Sequence, residues 1–171
     1  MNQDSIRLYE QLKPSFVRHD KTIIHIQHHY QMKGNIMHPI SICVIMKNEQ
    51  KNMDNFLSAI RKHFKNYPYE LVLVDTGSTD RTLAIAQKYT DKIYHFDWIG
   101  DFSAARNYSL QCASHDWILV LDCDEYIIDL DVRGFDAMIT HYPQCVGMLS
   151  RKNHYEMNDT DSLYTDDVER F

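Results

Sequence analysis

An α/β fold with a mainly parallel central sheet is predicted for this chain of 171 residues by two observations. Nearly continuous apolar runs recur at residues 40–46, 71–74, 93–96 and 117–121, and such runs mark strands covered on both faces. Between them lie segments with apolar residues three or four apart, the spacing of an amphipathic helix. Strands alternating with helices in this way are the pattern of βαβ units.

Each element has its own justification. Ile40 to Met46 reads as the first strand, and Met53, Phe56, Leu57, Ile60 and Phe64 form the apolar stripe of the helix after it. Leu71 to Val74 is the second strand, closed by Asp75. Ser78 or Thr79 is expected to cap the next helix, with Asp80 in its first turn and Leu83, Ala84, Ala86 and Tyr89 along it. Residues 93–96 make a third strand, 102–113 a third helix and 117–121 a fourth strand. Beyond Tyr126 the signal weakens: 132–142 reads as helix, 146–150 as a returning strand, and 153–171 has little periodicity. Residues 1–38 differ in composition, being rich in His, Gln and Lys and ending in Gly34 and the His38-Pro39 pair. We read them as an N-terminal extension that packs on the main domain or on another chain. It carries a short helix around 5–12 and a solvated cluster of His25, His28 and His29.

Bulk properties narrow the function. The length suits one domain with a real core, and 44% hydrophobic with 25% charged residues is ordinary for a folded soluble protein. A net charge of −6 without a basic block argues against nucleic acid as a partner. No apolar stretch approaches the ~20 residues that span a bilayer, and residues 1–10 lack the apolar core of a signal peptide. Cys43, Cys112, Cys123 and Cys145 show no C-x-x-C spacing, so neither a zinc site nor a disulfide framework is indicated, and a cytoplasmic location fits.

Chemistry is expected where the strands end, because open α/β sheets bind ligands at the carboxyl ends of their strands. There the sequence places Lys47-Asn48-Glu49, Asp75-Thr76-Gly77-Ser78, Asp97 to Asp101 and Asp122-Cys123-Asp124. In an extended chain Asp122 and Asp124 share a face, and two hard oxygen ligands suit Mg²⁺ or Mn²⁺. Cys123 then points the other way, into the core. Neither G-x-G-x-x-G nor G-x-x-x-x-G-K-S/T is present, so a bound diphosphate would need a metal and a basic side chain. Arg106 is the candidate cation, since a guanidinium suits bidentate contact with phosphate oxygens. Its plain alternative is a surface arginine in an i, i+4 salt bridge.

The segments Ile42 to Glu49, Val74 to Asp80, Asp101 to Asn107 and Leu121 to Glu125 follow one another in register. Together they resemble the nucleotide-sugar half of family 2 glycosyltransferases, in particular the bacterial branch with peptide S-glycosyltransferases and tetratricopeptide-repeat glycosyltransferases. The resemblance covers roughly residues 40–128. It implies the GT-A fold, a Rossmann-like three-layer sandwich, over residues 39–171. It also implies a glycosyltransferase that binds a nucleotide sugar, with a UDP-sugar favoured. By this resemblance Asp75 receives the uracil N3–H, and Lys47, Asn48 and Glu49 line the base and ribose pocket. Arg106 lies near base and diphosphate, Asp122 faces ribose and metal, and Asp124 is the direct ligand of Mn²⁺ or Mg²⁺.

The implied reaction is displacement at the anomeric carbon, with the metal easing departure of the diphosphate. The acceptor (a peptide, a glycan or a lipid-linked glycan) and the catalytic base are left open. In the family those elements lie well downstream of the D-x-D strand, so the chain is expected to lack the acceptor half. Glu169-Arg170-Phe171 resembles the start of a segment that leads to a histidine-glutamate motif, and Asp166 and Asp167 are weak candidates for the base. Apolar surface left by the missing half is a route to homo-oligomers. Two alternatives stand beside this reading: a catalytically incomplete nucleotide-sugar-binding or interaction module, and a metal-dependent nucleotidyltransferase.

Overall fold

The computed structural model of the protein describes residues 37–143, 145–157 and 160–169. The helix expected at 5–12, the histidine cluster and nearly all of the proposed N-terminal extension lie outside the described residues. Four parallel strands form the central sheet: β1 (Ile40–Met46), β2 (Tyr69–Asp75), β3 (Ile93–His95) and β4 (Trp117–Val120). Their spatial order is β3-β2-β1-β4. Helix α1 (Met53–His63) connects β1 to β2, α2 (Thr82–Ala86) connects β2 to β3, and α3 (Phe102–Gln111) connects β3 to β4. Helix α4 (Val132–His141) follows, then an antiparallel pair, β5 (Met148–Met157) with β6 (Thr160–Glu169).

The pleat of β1 divides the layers. Ile40, Ile42, Val44 and Met46 join the core cluster of α1, which buries Met53, Phe56, Leu57 and Ile60. Each such side chain contributes ~1.5–3 kcal/mol on leaving water. On the opposite face Cys43 meets α3, its Sγ 3.5 Å from the Ser109 carbonyl oxygen. Helices on both faces of a parallel sheet make the three-layer α/β architecture expected from the sequence. Phe135 and Ile139 of α4 extend the α1-side core, where the Phe135 ring meets Phe64 and Tyr67 edge-on.

Local chemistry sets the helix boundaries. Asp101 caps α3 by accepting the Ser103 and Ala104 N–H groups, and Asp131 caps α4 through Arg133 and Gly134. The expected caps of α2 are corrected. Neither Ser78 nor Thr79 plays that part, because the helix starts later and the Asp80 carboxylate receives the Thr82 N–H at 2.9 Å. Tyr89 lies past the end of this short helix, where its hydroxyl donates to Asp54 and the Arg61 guanidinium stacks 4.3 Å from its ring centroid. The weak periodicity of 153–171 also misleads. This stretch contributes to the β5–β6 ladder, in which Arg151 stands opposite Asp166 and Ser150 opposite Asp167. Ladder bonds use backbone groups that every sequence supplies, so such a pair forms without an apolar alternation to announce it.

The two ends of the sheet use their polar groups differently. At the amino-terminal end the Glu70 carboxylate accepts hydrogen bonds from Ser41 Oγ, Lys92 Nζ, and the N–H and hydroxyl of Ser114. The Ser41 hydroxyl in turn receives the His115 N–H at 3.1 Å. Burial pushes the Glu70 carboxyl up, but the bonds from Lys92, Ser114 and Ser41 outweigh it and hold it at about 2. These groups satisfy one another.

All four cysteines are free. Burial first, then the Glu70 charge, pushes the Cys43 thiol up to about 12, and burial raises Cys123 as well. Cys145 is exposed. In a native-state thiol titration at pH 8 we expect Cys145 to react promptly and Cys43 and Cys123 only after denaturation. Rapid labelling of either buried thiol, located by mass spectrometry, would contradict this packing.

Candidate functional site

Connections leave β1 toward β2 on one side, while β4 lies on the other side of β1. That reversal is a topological switch point, and a crevice opens there at the carboxyl ends of the strands. The loop after β1 carries Lys47, Asn48 and Glu49, and the segment after β4 carries Asp122 to Glu125.

Lys47 is exposed, with its Nζ 5.8 Å from the centroid of the Trp98 ring, a cation–π separation. Asn48 adopts φ +56°, a left-handed conformation that asparagine tolerates better than most residues. Its N–H donates to Ser78 Oγ at 3.0 Å, and its side-chain oxygen accepts the Thr79 N–H at 2.8 Å. Gln50 and Arg81 repeat the tie: the Gln50 N–H donates to Asp80 and the Arg81 N–H to the Gln50 side chain. The loops after β1 and β2 are thus fastened to each other. Glu49 precedes α1, its carbonyl accepting the N–H groups of Asn52 and Met53 and its carboxylate the Asn52 side-chain amide.

Asp75, at the end of β2, is only 3% exposed. Its Oδ2 accepts the N–H groups of Gly77 and Ser78 at 3.1 Å each, and Ser78 N lies 3.2 Å from Oδ1. Gly77 has φ +101°, so glycine is required to turn the chain back over this carboxylate. The ordered carboxylate at the strand end is therefore a turn-builder that keeps Oδ1 only lightly used.

Arg106 reaches from α3 across the crevice, and its Nη2 meets Asp122 Oδ1 at 2.5 Å. This pair joins two elements across the switch point, which corrects the i, i+4 alternative. Nη1 of the same guanidinium is buried with no hydrogen-bond partner. Arg106 also lines an open hollow of about 270 Å³ with Ile45, Phe102, Ser103 and Asn107.

Asp122 and Asp124 lie beyond the end of β4, which corrects the expectation that they share a strand face. Strand β4 ends at Val120, and the Glu125 N–H donates to the Asp122 carbonyl at 3.0 Å, closing a turn. The Glu125 carboxylate accepts the Asp122 N–H at 3.0 Å. The two aspartates are therefore carried by a turn and not by the alternation of a strand. Asp124 is exposed and Asp122 half-buried, while Cys123 is in the core with Sγ 3.7 Å from the Ile45 carbonyl oxygen. Among the described residues, no three His, Cys, Asp or Glu side chains are gathered as a ready metal cluster.

Three neighbouring side chains are not among the residues the sequence singles out. His95 pairs in register with Asp75; its Nδ1 lies 3.7 Å from Asp75 Oδ2 and its Nε2 3.1 Å from Asp97 Oδ1. Its place at a strand end was the available signal, obscured by its position inside an apolar run. Trp98 and Phe102 pack edge to face with centroids 4.8 Å apart and remain exposed beside Lys47. They fall in a loop and at a helix start, where no periodicity marks them.

Over 95 residues the chain is 44% identical to a TPR repeat-containing protein of Synechococcus elongatus, covering 56% of this chain and 23% of that protein. It is 32% identical over 87 residues to the glycosyltransferase SunS of Bacillus subtilis, covering 50% of this chain and 20% of the relative. The crystal structure of S. aureus TarS 1-349 in complex with UDP-GlcNAc superposes with a TM-score of 0.52 at 28% identity. The match covers 63% of this chain and 32% of that one. The chain therefore spans no more than about a third of the length of these relatives. Among the described residues no helix is long and apolar enough to cross a membrane. The profile of Glycosyl transferase family 2 matches residues 41–163, and the chain belongs to that family.

Proposed function

We propose that this chain is the donor-binding domain of a glycosyltransferase, GT-A over residues 39–171, that takes a UDP-type nucleotide sugar together with Mn²⁺ or Mg²⁺. The observation that carries the reading is the ion pair of Arg106 with Asp122, which joins α3 to the turn after β4 at the switch point. Asp75 is the acceptor for a base imide N–H, Lys47 and Glu49 border the base and ribose, and Asn48 holds the two loops in place. Binding of UDP-GlcNAc by TarS supports the donor class.

Asp122 and Asp124 are the residues that would hold the ion. The donor set fits: two accessible carboxylates in one turn supply hard oxygens, and Mg²⁺ commonly takes its remaining ligands from phosphate and water. The ion's chemistry there is neutralisation of charge on the departing diphosphate. Arg106 adds a second positive charge from the protein, and the buried side of the crevice strengthens both interactions. The free cysteines support a reducing, cytoplasmic setting.

Calorimetry with UDP, with and without Mn²⁺, tests the proposal. We expect metal-dependent UDP binding, and its absence would overturn the reading. Asp124→Ala should lose about tenfold or more of the metal-dependent affinity, as removal of one charged ligand implies. Because Asp124 is exposed, its melting temperature should stay near wild type. Unchanged UDP affinity in this variant would remove Asp124 from the site.

A further inference from the structure

Arg106 carries an arrangement that donor binding alone does not explain. Its guanidinium is held by one arm, Nη2 on Asp122 Oδ1 at 2.5 Å. The other arm, Nη1, is buried and unpaired. An arginine fork is most stable when both arms bind oxygens, and an unsatisfied buried donor is unfavourable. The partner carboxylate is at the same time one of the two residues we assign to the divalent ion. A cation and a guanidinium on one carboxylate repel each other across a few ångströms in a partly buried crevice.

We propose that Arg106 is a shared cation that couples the two ligands. In the unliganded chain it neutralises Asp122 and so competes with the divalent ion. An arriving diphosphate offers oxygens to both arms, draws the guanidinium off and leaves Asp122 to the metal. The hollow of about 270 Å³ beside Arg106, lined by Ile45, Phe102, Ser103 and Asn107, is where those oxygens would approach. The inference rests on the proposed function and adds to it that metal and nucleotide bind cooperatively through this residue.

The test is a set of binding titrations on the full chain with MnCl₂ alone, UDP alone and both, read by calorimetry and by the electron paramagnetic resonance of free Mn²⁺. In the wild type, Mn²⁺ alone should bind weakly and UDP should tighten it by about tenfold or more, a usual coupling strength. Arg106→Gln should change the two affinities in opposite directions. Mn²⁺ alone should bind about threefold tighter or better, since the competing cation is gone, while UDP alone weakens by about tenfold. Damage to the fold would weaken both ligands together. Arg106→Lys provides a second variant that keeps the charge, gives up the fork and should show the same signs with smaller changes. Unchanged or weaker Mn²⁺ affinity in a natively folded variant overturns the coupling and leaves the donor-site reading intact. Equal Mn²⁺ affinity with and without UDP in the wild type overturns the coupling and, because UDP binding is then independent of the metal, the metal-dependent donor reading as well. Failure of the wild type to bind UDP at all overturns both.

Discussion

Asp75→Asn is expected to fold normally and still lose UDP affinity by about tenfold to a hundredfold, the range for removing a hydrogen bond to a charged acceptor. The two oxygens of Asp75 have different duties. Oδ2 accepts the N–H groups of Gly77 and Ser78, and Oδ1 is bonded only to Ser78 at 3.2 Å. An asparagine can put its carbonyl in the Oδ2 position and keep the turn. Its amide then points an N–H where the base would point its own, so an attraction becomes a clash of donors. Asp75→Ala separates the roles from the other side. It leaves the turn amides without their acceptor, and should cost about 1–3 kcal/mol of stability in addition to the affinity. Calorimetry and thermal melts of the two variants provide the check. If Asp75→Asn binds UDP like the wild type, Asp75 is a turn residue and nothing more.

The largest stability loss outside the hydrophobic core is expected at Glu70. Glu70→Ala removes the acceptor of Ser41, Lys92 and Ser114 together. Ser41 is fully buried, so its hydroxyl cannot turn to water instead. We expect a loss of about 2–3 kcal/mol, or a melting temperature about 5–10 °C lower. The pH dependence has a definite sign. The folded-state value, about 2, is depressed from the ordinary 4.5. Its contribution is therefore complete above about pH 5 and disappears as the pH falls toward 2. Glu70→Gln cannot ionise, so its stability should change less across that interval than the wild type's. Parallel acid-unfolding curves for the two proteins would show that Glu70 is not the group responsible.

Much of the architecture was legible because burial leaves a periodic trace. The apolar runs of β1, β2 and β4 and the Met53, Phe56, Leu57, Ile60 stripe were visible because a two-sided sheet and its covering helix need those residues there. The α2 caps differ from the expectation for a physical reason: Ser78 and Thr79 are good capping residues in isolation, but both are engaged by Asn48 across the loops, and Asp80 takes the Thr82 N–H instead. Tertiary partners of that kind leave no local pattern. The hub at Glu70 was invisible for the same reason, since its partners come from positions 41, 92 and 114. The β5–β6 ladder runs through backbone groups, which carry no residue signature.

The candidate site divides along the same line. Its composition was readable, because strands that end in Asp75 and in Asp122-Cys123-Asp124 place costly carboxylates where packing has no use for them. Which groups meet was not readable. Strand alternation pointed to paired aspartates on one face; the chain turns at Asp122 instead, and the partner of Asp122 is Arg106, from a helix on the far side of the crevice. One-dimensional order specifies which side chains arrive at the carboxyl edge, since it sets where each strand stops. Contacts between those side chains depend on the strand order β3-β2-β1-β4, which brings the ends of β1 and β4 together although about seventy residues separate them.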